Sequence, residues 1–426
     1  MKHQNSIALI SEHASPLAEL GGVDTGGQNV YVAQLAKHLA KEGYNVDVYT
    51  RRESEDQHEV VNWVNGVRVI HVTAGPAKVV IKEELLPYMD EFKTNMAAFI
   101  INNNINYSLI HANFFMSALV AMGIKQELGI PFVVTFHALG HVRRVHQGDS
   151  DKFPAERLLI EEEAVKQADH IIAECPQDKQ DLMDHYHAPA HKVSVIPCGF
   201  SPREFVPIDK QAARKMLGLP QNEHIILQLG RMVPRKGVDN VIRALGDLKN
   251  MDTPVKLLIV GGECEELEEA TCPEYARLLG VARENGVVNS IIFAGRKNRD
   301  MLKYYYSAAD VFITTPWYEP FGITPLEAMA CGTPVIGSNV GGIKYSVADG
   351  ETGALVEANN PIRLADKLRW MLNSPALLNR MGENAIWRVN RYFTWAKVAA
   401  NVSDMYKRLM PQVTEIGLIH QKSQAA

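Results

Sequence analysis

Short apolar runs alternate with amphipathic stretches along most of the 426 residues. Ile7–Ser11 reads as a strand, and Gly27–Lys41 as a helix with Val30, Ala33, Leu35, Ala36 and Leu39 on its buried stripe. Val46–Thr50, Val67–Val72, Leu109–His111, Phe132–Phe136, His170–Ala173 and Val193–Ile196 follow as further strands. Runs that are apolar at successive positions suit strands buried on both faces, as in parallel sheets covered by helices. The turn-rich segment Pro197-Cys198-Gly199-Phe200-Ser201-Pro202 breaks the pattern near the middle. The alternation then restarts with Ile225–Leu229, a helix from about Gly237, and strands at Lys256–Val260, Ile291–Phe293, Val311–Thr314 and Val335–Gly337.

This pattern predicts an α/β chain of two Rossmann-like, doubly wound halves whose carboxyl edges face one another across a cleft. The expected division is 1–198 for the first domain, 199–394 for the second, and 395–426 for a closing helix and tail. Trp395–Leu409 is the strong amphipathic segment of that last part, and Lys422–Ala426 reads as a frayed end.

Composition narrows the classes. Hydrophobic residues at 46% and charged residues at 22% are ordinary for a globular chain, and a net charge of −5 gives no footprint for nucleic acid. The five cysteines form no Cys-x-x-Cys pair, which points away from structural zinc and towards a reducing, cytoplasmic setting. Ile7-Ala8-Leu9-Ile10 is too short for a signal-peptide core, and no run is long enough to span a bilayer.

Three segments carry candidate chemistry. The turn Gly21-Gly22-Val23-Asp24-Thr25-Gly26-Gly27-Gln28-Asn29 opens a helix, where backbone N–H groups can hold a phosphate; Gly26 and Gly27 are the positions for close approach. It lacks the Gly-x-Gly-x-x-Gly spacing, and a flexible connecting loop is the alternative. Gly230-Arg231-Met232-Val233-Pro234-Arg235-Lys236-Gly237 follows a strand and offers a guanidinium fork and an ammonium to phosphate oxygens, against the alternative of a solvated pair. Glu319-Pro320-Phe321-Gly322-Ile323-Thr324-Pro325-Leu326-Glu327 sets one carboxylate in a turn and another a helical turn in. Carboxylates suit the vicinal hydroxyls of a hexose and a ribose, and the Phe321, Gly322 and Ile323 amides suit an anion or sugar oxygen. A capping glutamate and a surface glutamate are the alternative.

Together and in this order, the segments resemble the retaining glycosyltransferases of the GT-B fold, family 4. That resemblance implies that Arg231 and Lys236 hold a nucleotide diphosphate, that Glu319 meets the donor hexose and that Glu327 meets the ribose. It places Arg296, after Gly295, beside the base, and takes the helix at Trp395 back to the first domain. Ser11-Glu12-His13-Ala14-Ser15-Pro16, Asp24-Thr25-Gly26-Gly27-Gln28-Asn29 and Thr135-Phe136-His137-Ala138-Leu139-Gly140 are similar to the sucrose-phosphate synthases and to the inositol-phosphate glycosyltransferase of mycothiol synthesis. The likeness puts His137 near the reacting sugar, giving a catalytic set of His137, Arg231, Lys236 and Glu319. His13, Gln28, Lys82, Arg157 and Arg143 (or Arg144) become acceptor contacts.

Phe114 and Ala138 depart from the mycothiol pattern, which has a hydroxyl-bearing residue there; this argues against inositol phosphate. UDP-glucose is the donor the resemblance favours, moved to a small sugar or polyol, phosphorylated or not. A sugar-nucleotide epimerase and a binding regulator without activity are the rival functions. Asp149-Ser150-Asp151 spells a metal-binding signature of a different glycosyltransferase fold, but reads here as a solvated turn; no metal or other cofactor is expected.

Overall fold

Two parallel sheets organise the chain, which a computed structural model describes over residues 5–18, 26–262 and 264–410. The first sheet has strands β1 (Ser6–Ile10), β2 (Asn45–Arg51), β3 (Val60–Val64), β4 (Val67–Val72), β5 (Leu109–Asn113), β6 (Phe132–Thr135), β7 (His170–Ala173) and β8 (Val193–Val195). Their spatial order is β3-β4-β2-β1-β5-β6-β7-β8. The second sheet has β9 (His224–Leu229), β10 (Val255–Val260), β11 (Ile291–Gly295), β12 (Val311–Thr314), β13 (Val335–Ser338) and β14 (Gly353–Val356), ordered β11-β10-β9-β12-β13-β14.

Both sheets are doubly wound. The chain winds outward from β1 in one direction and then from β5 in the other, and β9 and β12 repeat the arrangement. Crevices open beyond the carboxyl ends of strands at such reversal points. The segments that follow β1, β5, β9 and β12 are therefore the ones the topology aims at the cleft.

Two strands escape the pattern read from the sequence. Edge strand β3 runs antiparallel to β4 and is only half-buried, so its apolar pattern is weak. Strand β14 is four residues long and begins at a glycine.

The helix Trp395–Leu409 packs against Gly27–Lys41 of the first half. Phe200 and Thr394 form a bridge at the crossing, with the Trp395 N–H donating to the Phe200 carbonyl at 3.2 Å. Trp395 is fully buried, its ring edge-on to Tyr31 at 5.8 Å, within an apolar cluster that continues from Ile7 to Phe321. Truncating so buried an aromatic costs about 3–5 kcal/mol, so this crossing is an apolar tie between the halves. The segment 411–426, including the tail expected to fray, lies outside the described residues.

Candidate active site

A cavity of about 420 Å³ lies where the two carboxyl edges meet. That volume falls within the range of small-molecule sites. On the second-domain side the loop after β9 enters a short turn, Pro234–Lys236, and Gly237 then takes φ 66°. A Cβ on Gly237 would stand 2.2 Å from the Thr315 carbonyl oxygen, so only glycine lets this turn pack beside the end of β12.

The turn sets the Lys236 ammonium against the Glu319 carboxylate, with Arg235 3.9 Å from the same oxygen. Burial lowers the Lys236 ammonium from its ordinary value, and Glu319 opposes that shift. Burial alone would raise Glu319, but Lys236 and then Arg235 outweigh it and hold the carboxyl below the usual range. The pairing thus favours the charged form of each partner. Arg231 is exposed on the cleft wall nearby.

Phe321, Gly322 and Ile323 line the same wall ahead of the helix Thr324–Ala330. Glu327, in the first turn of that helix, is almost wholly buried yet reaches the cavity. It accepts from the Tyr306 hydroxyl at 3.0 Å and lies 3.1 Å from Arg299. Arg296, Gly261 and Gly262 also line the cavity.

The first domain supplies the opposite wall. Gly26 and Gly27 open the helix Gly27–Lys41, and a Cβ on Gly27 would stand 3.9 Å from Ile323 Cδ1, so the two domains approach closely here. The rest of that turn, 21–25, lies outside the described residues. Gln28 donates to Ser11 Oγ at 3.2 Å and to the Asn113 carbonyl at 3.1 Å. His13 leans on buried Glu12 at 2.6 Å and sits edge-on to Phe114. Lys82 and Arg143 also line the cavity. Arg143 is tied to Asp151 at 2.9 Å, which gives the Asp149-Ser150-Asp151 turn a structural partner.

His137 stands at φ 58°, with Nδ1 3.0 Å from Glu174 and Nε2 3.1 Å from Asn113 Oδ1. A non-glycine residue in the left-handed region is strained, and such strain gathers at functional sites.

Arg157 is a correction. It was expected to reach the acceptor, yet it is buried and absent from the cavity wall. Its guanidinium pairs with Glu161 at 2.7 Å, donates to the Ala138 carbonyl, and stacks on Phe114, Phe115 and Phe153. The carboxylate one helical turn away and three ring faces outcompete the cleft.

The structure adds residues that sequence reading passed over. Glu174, Cys198, Arg299 and Tyr318 all line the cavity. Glu174 had one signal: it directly follows the last residue of β7, at a carboxyl edge. Tyr318 had none, because its role arises between domains, where His146 stacks on it and Gln147 donates to its hydroxyl. Among the described residues there is no cluster of three or more metal-ligating side chains, and no helix long and apolar enough to cross a membrane.

Two doubly wound domains, with cations and carboxylates brought together where their edges meet, define a GT-B glycosyltransferase. The chain belongs to that class at the level of family: residues 25–204 match the family described as Glycosyltransferase Family 4, and residues 209–388 match Glycosyl transferases group 1. It is 35% identical over 406 residues to the D-inositol 3-phosphate glycosyltransferase of Corynebacterium glutamicum (strain R), spanning 94% of this chain and 96% of that one. The corresponding enzyme of Acidothermus cellulolyticus is 34% identical over 407 residues, spanning 94% and 90%. Among solved structures, the sucrose-phosphate synthase of Thermosynechococcus elongatus superimposes with a TM-score of 0.86 at 33% identity, covering 95% of this chain and 99% of that one.

Proposed function

We propose that the chain transfers glucose from UDP-glucose, with retention at the anomeric carbon, to a small sugar or polyol acceptor, phosphorylated or not. The observation that carries this reading is the Lys236–Glu319 pair, poised with Arg231 at the reversal point of the second sheet and facing His137 of the first domain. The names of two relatives, one acting on inositol phosphate and one a sucrose-phosphate synthase, support a small acceptor.

In this reading the diphosphate takes the Lys236 ammonium and the Arg231 guanidinium, and the hexose hydroxyls take Glu319. The bond from the anomeric carbon to the phosphate oxygen breaks and leaves negative charge on the diphosphate. Fixed cations at that point stabilise the transition state more than the ground state. An acceptor hydroxyl enters from the first domain on the face the phosphate leaves, and its proton passes to the departing phosphate oxygen. The cations do the work that a divalent metal does in other folds. Closure about the Pro197–Pro202 segment and its Phe200–Thr394 bridge excludes water and so limits hydrolysis of the donor.

The test is a thermal-shift series over nucleotide sugars, followed by a mass-spectrometric acceptor screen and NMR of the product's anomeric proton. The expected result is stabilisation by UDP-glucose and a product with the donor's α configuration. Three outcomes would overturn the reading: a β-linked product, conversion of the donor without acceptor, or binding with no turnover on a broad panel.

A further inference from the structure

His137 is held from two sides by groups that only accept hydrogen bonds. On one side is the Glu174 carboxylate, buried at the end of β7. On the other is the side-chain oxygen of Asn113, whose orientation is not open to exchange. The Asn113 amide nitrogen donates to the Ile10 and His111 carbonyls, each at 3.2 Å, and the flipped amide would set its oxygen against both. Both ring nitrogens of His137 therefore make their hydrogen bonds only when each carries a proton.

Glu174 is shared by a second buried donor. Its Oε1 accepts from the Cys198 thiol at 3.1 Å as well as from His137, and burial pushes that thiol well up, so it stays a donor. The Glu174 N–H donates to the neighbouring carboxyl of Asp178 at 2.8 Å. Burial, and then the charge on Glu174, push Asp178 up to about 8. Asp178 thus holds a proton at neutral pH. Two further titratable neighbours are neutral: the Tyr31 ring, edge-on at 4.8 Å with its hydroxyl pushed well up by burial, and His111, pushed down to about 3 by burial and then by His137.

Building on the glycosyl-transfer reading, we propose that Glu174 is a positioning residue which, with Asn113, holds His137 as a fixed imidazolium at the edge of the reaction cleft. The ring nitrogens are occupied by the protein, so His137 acts there through its charge rather than as a proton acceptor for the incoming hydroxyl. That cation adds to Lys236 and Arg231 as negative charge grows on the leaving diphosphate.

The experiment uses the full chain labelled with 15N-histidine, with His137→Gln to assign the ring signals. At pH 7.5 the wild type should show both His137 nitrogens with protonated-imidazolium shifts, and Glu174→Gln should show a neutral ring. In Glu174→Gln, kcat should fall about 10–100-fold while KM for the nucleotide sugar moves less than about 3-fold; Glu174→Asp should recover part of the loss. UDP binding and the melting temperature serve as the check that each variant is folded. A neutral ring in the wild type, a ring still charged in Glu174→Gln, or an unchanged kcat in that variant would each overturn the proposal. A wild type with the charged ring but no sugar transfer would instead reject the glycosyl-transfer reading and leave the charge assignment standing.

Discussion

Lys236, which follows β9, donates to the carboxylate of Glu319, which follows the neighbouring strand β12. The pairing fixes both charges where two parallel strands end side by side. In the proposed reading, a diphosphate entering the cleft takes the ammonium from a carboxylate that is then released to sugar hydroxyls. On this basis Lys236→Ala should lower kcat by about 10²–10³-fold, the cost of losing one preorganised charge-stabilising group. Acceptor KM should move less than about 2-fold, because the loss falls in the transition state. Steady-state kinetics with saturating donor measures both, and equal losses in kcat and acceptor affinity would remove the leaving-group role.

Gly237 makes that geometry available. Its left-handed φ and the 2.2 Å approach of any Cβ to the Thr315 carbonyl leave no room for alanine. Gly237→Ala should cost about 1–3 kcal/mol of stability from backbone strain alone. It should also weaken UDP binding, since the strained turn carries Lys236. Thermal denaturation with and without UDP separates the two effects, and a variant as stable as wild type with undiminished nucleotide stabilisation would contradict the argument.

Much of the fold was legible because buried parallel strands leave an unbroken apolar record. The helix Gly27–Lys41 and strands β4, β7 and β12 fall within the residues the pattern marks. Edge strand β3 carries half-exposed side chains and left a weaker mark. At the site, Arg231, Lys236, Glu319 and His137 were legible because each sits in a loop leaving a strand, where sequence order and space coincide. Glu174 carried the same signal, directly after β7, and was passed over; Tyr318 was not legible because its partners His146 and Gln147 belong to the other domain. Arg157 misled for another reason: a basic residue at a suggestive position says nothing of the carboxylate and rings that claim it.

His111 gives the fold a measurable acid sensitivity. It is buried between the Tyr406 hydroxyl of the crossing helix at 2.7 Å and Thr135 Oγ1 at 2.8 Å. Burial, and then the nearby His137 charge, push it down to about 3 from an ordinary 6.5. Between those values the unfolded chain binds a proton that the folded chain refuses. The stability is complete above the unfolded value and is lost as pH falls towards the folded one. The contribution is about 1.4 kcal/mol per pH unit. His111→Gln keeps a polar side chain between the same partners but cannot titrate. Its urea unfolding free energy should therefore fall less steeply than wild type from pH 6.5 to 4, and parallel slopes would show that His111 is not held neutral.

On the first-domain side one basic residue lines the cavity and another holds the wall behind it. Lys82 lines the cavity, whereas Arg157 lies behind it, locked to Glu161 under Phe114 and Phe153. Lys82→Ala should raise KM for a phosphorylated acceptor by about 10-fold or more, the scale of a charge-assisted hydrogen bond, and leave donor KM unchanged. Added salt should narrow the difference, because an ammonium open to the cleft is screened. Arg157→Ala should act through folding instead. It leaves the Glu161 carboxylate buried without its cation, a loss of about 3–5 kcal/mol that appears as a lower melting temperature before any change in KM. Melting curves and acceptor titrations on the two variants test the contrast. If Arg157→Ala melted like wild type but lost affinity for a phosphorylated acceptor, the guanidinium would belong to the ligand after all.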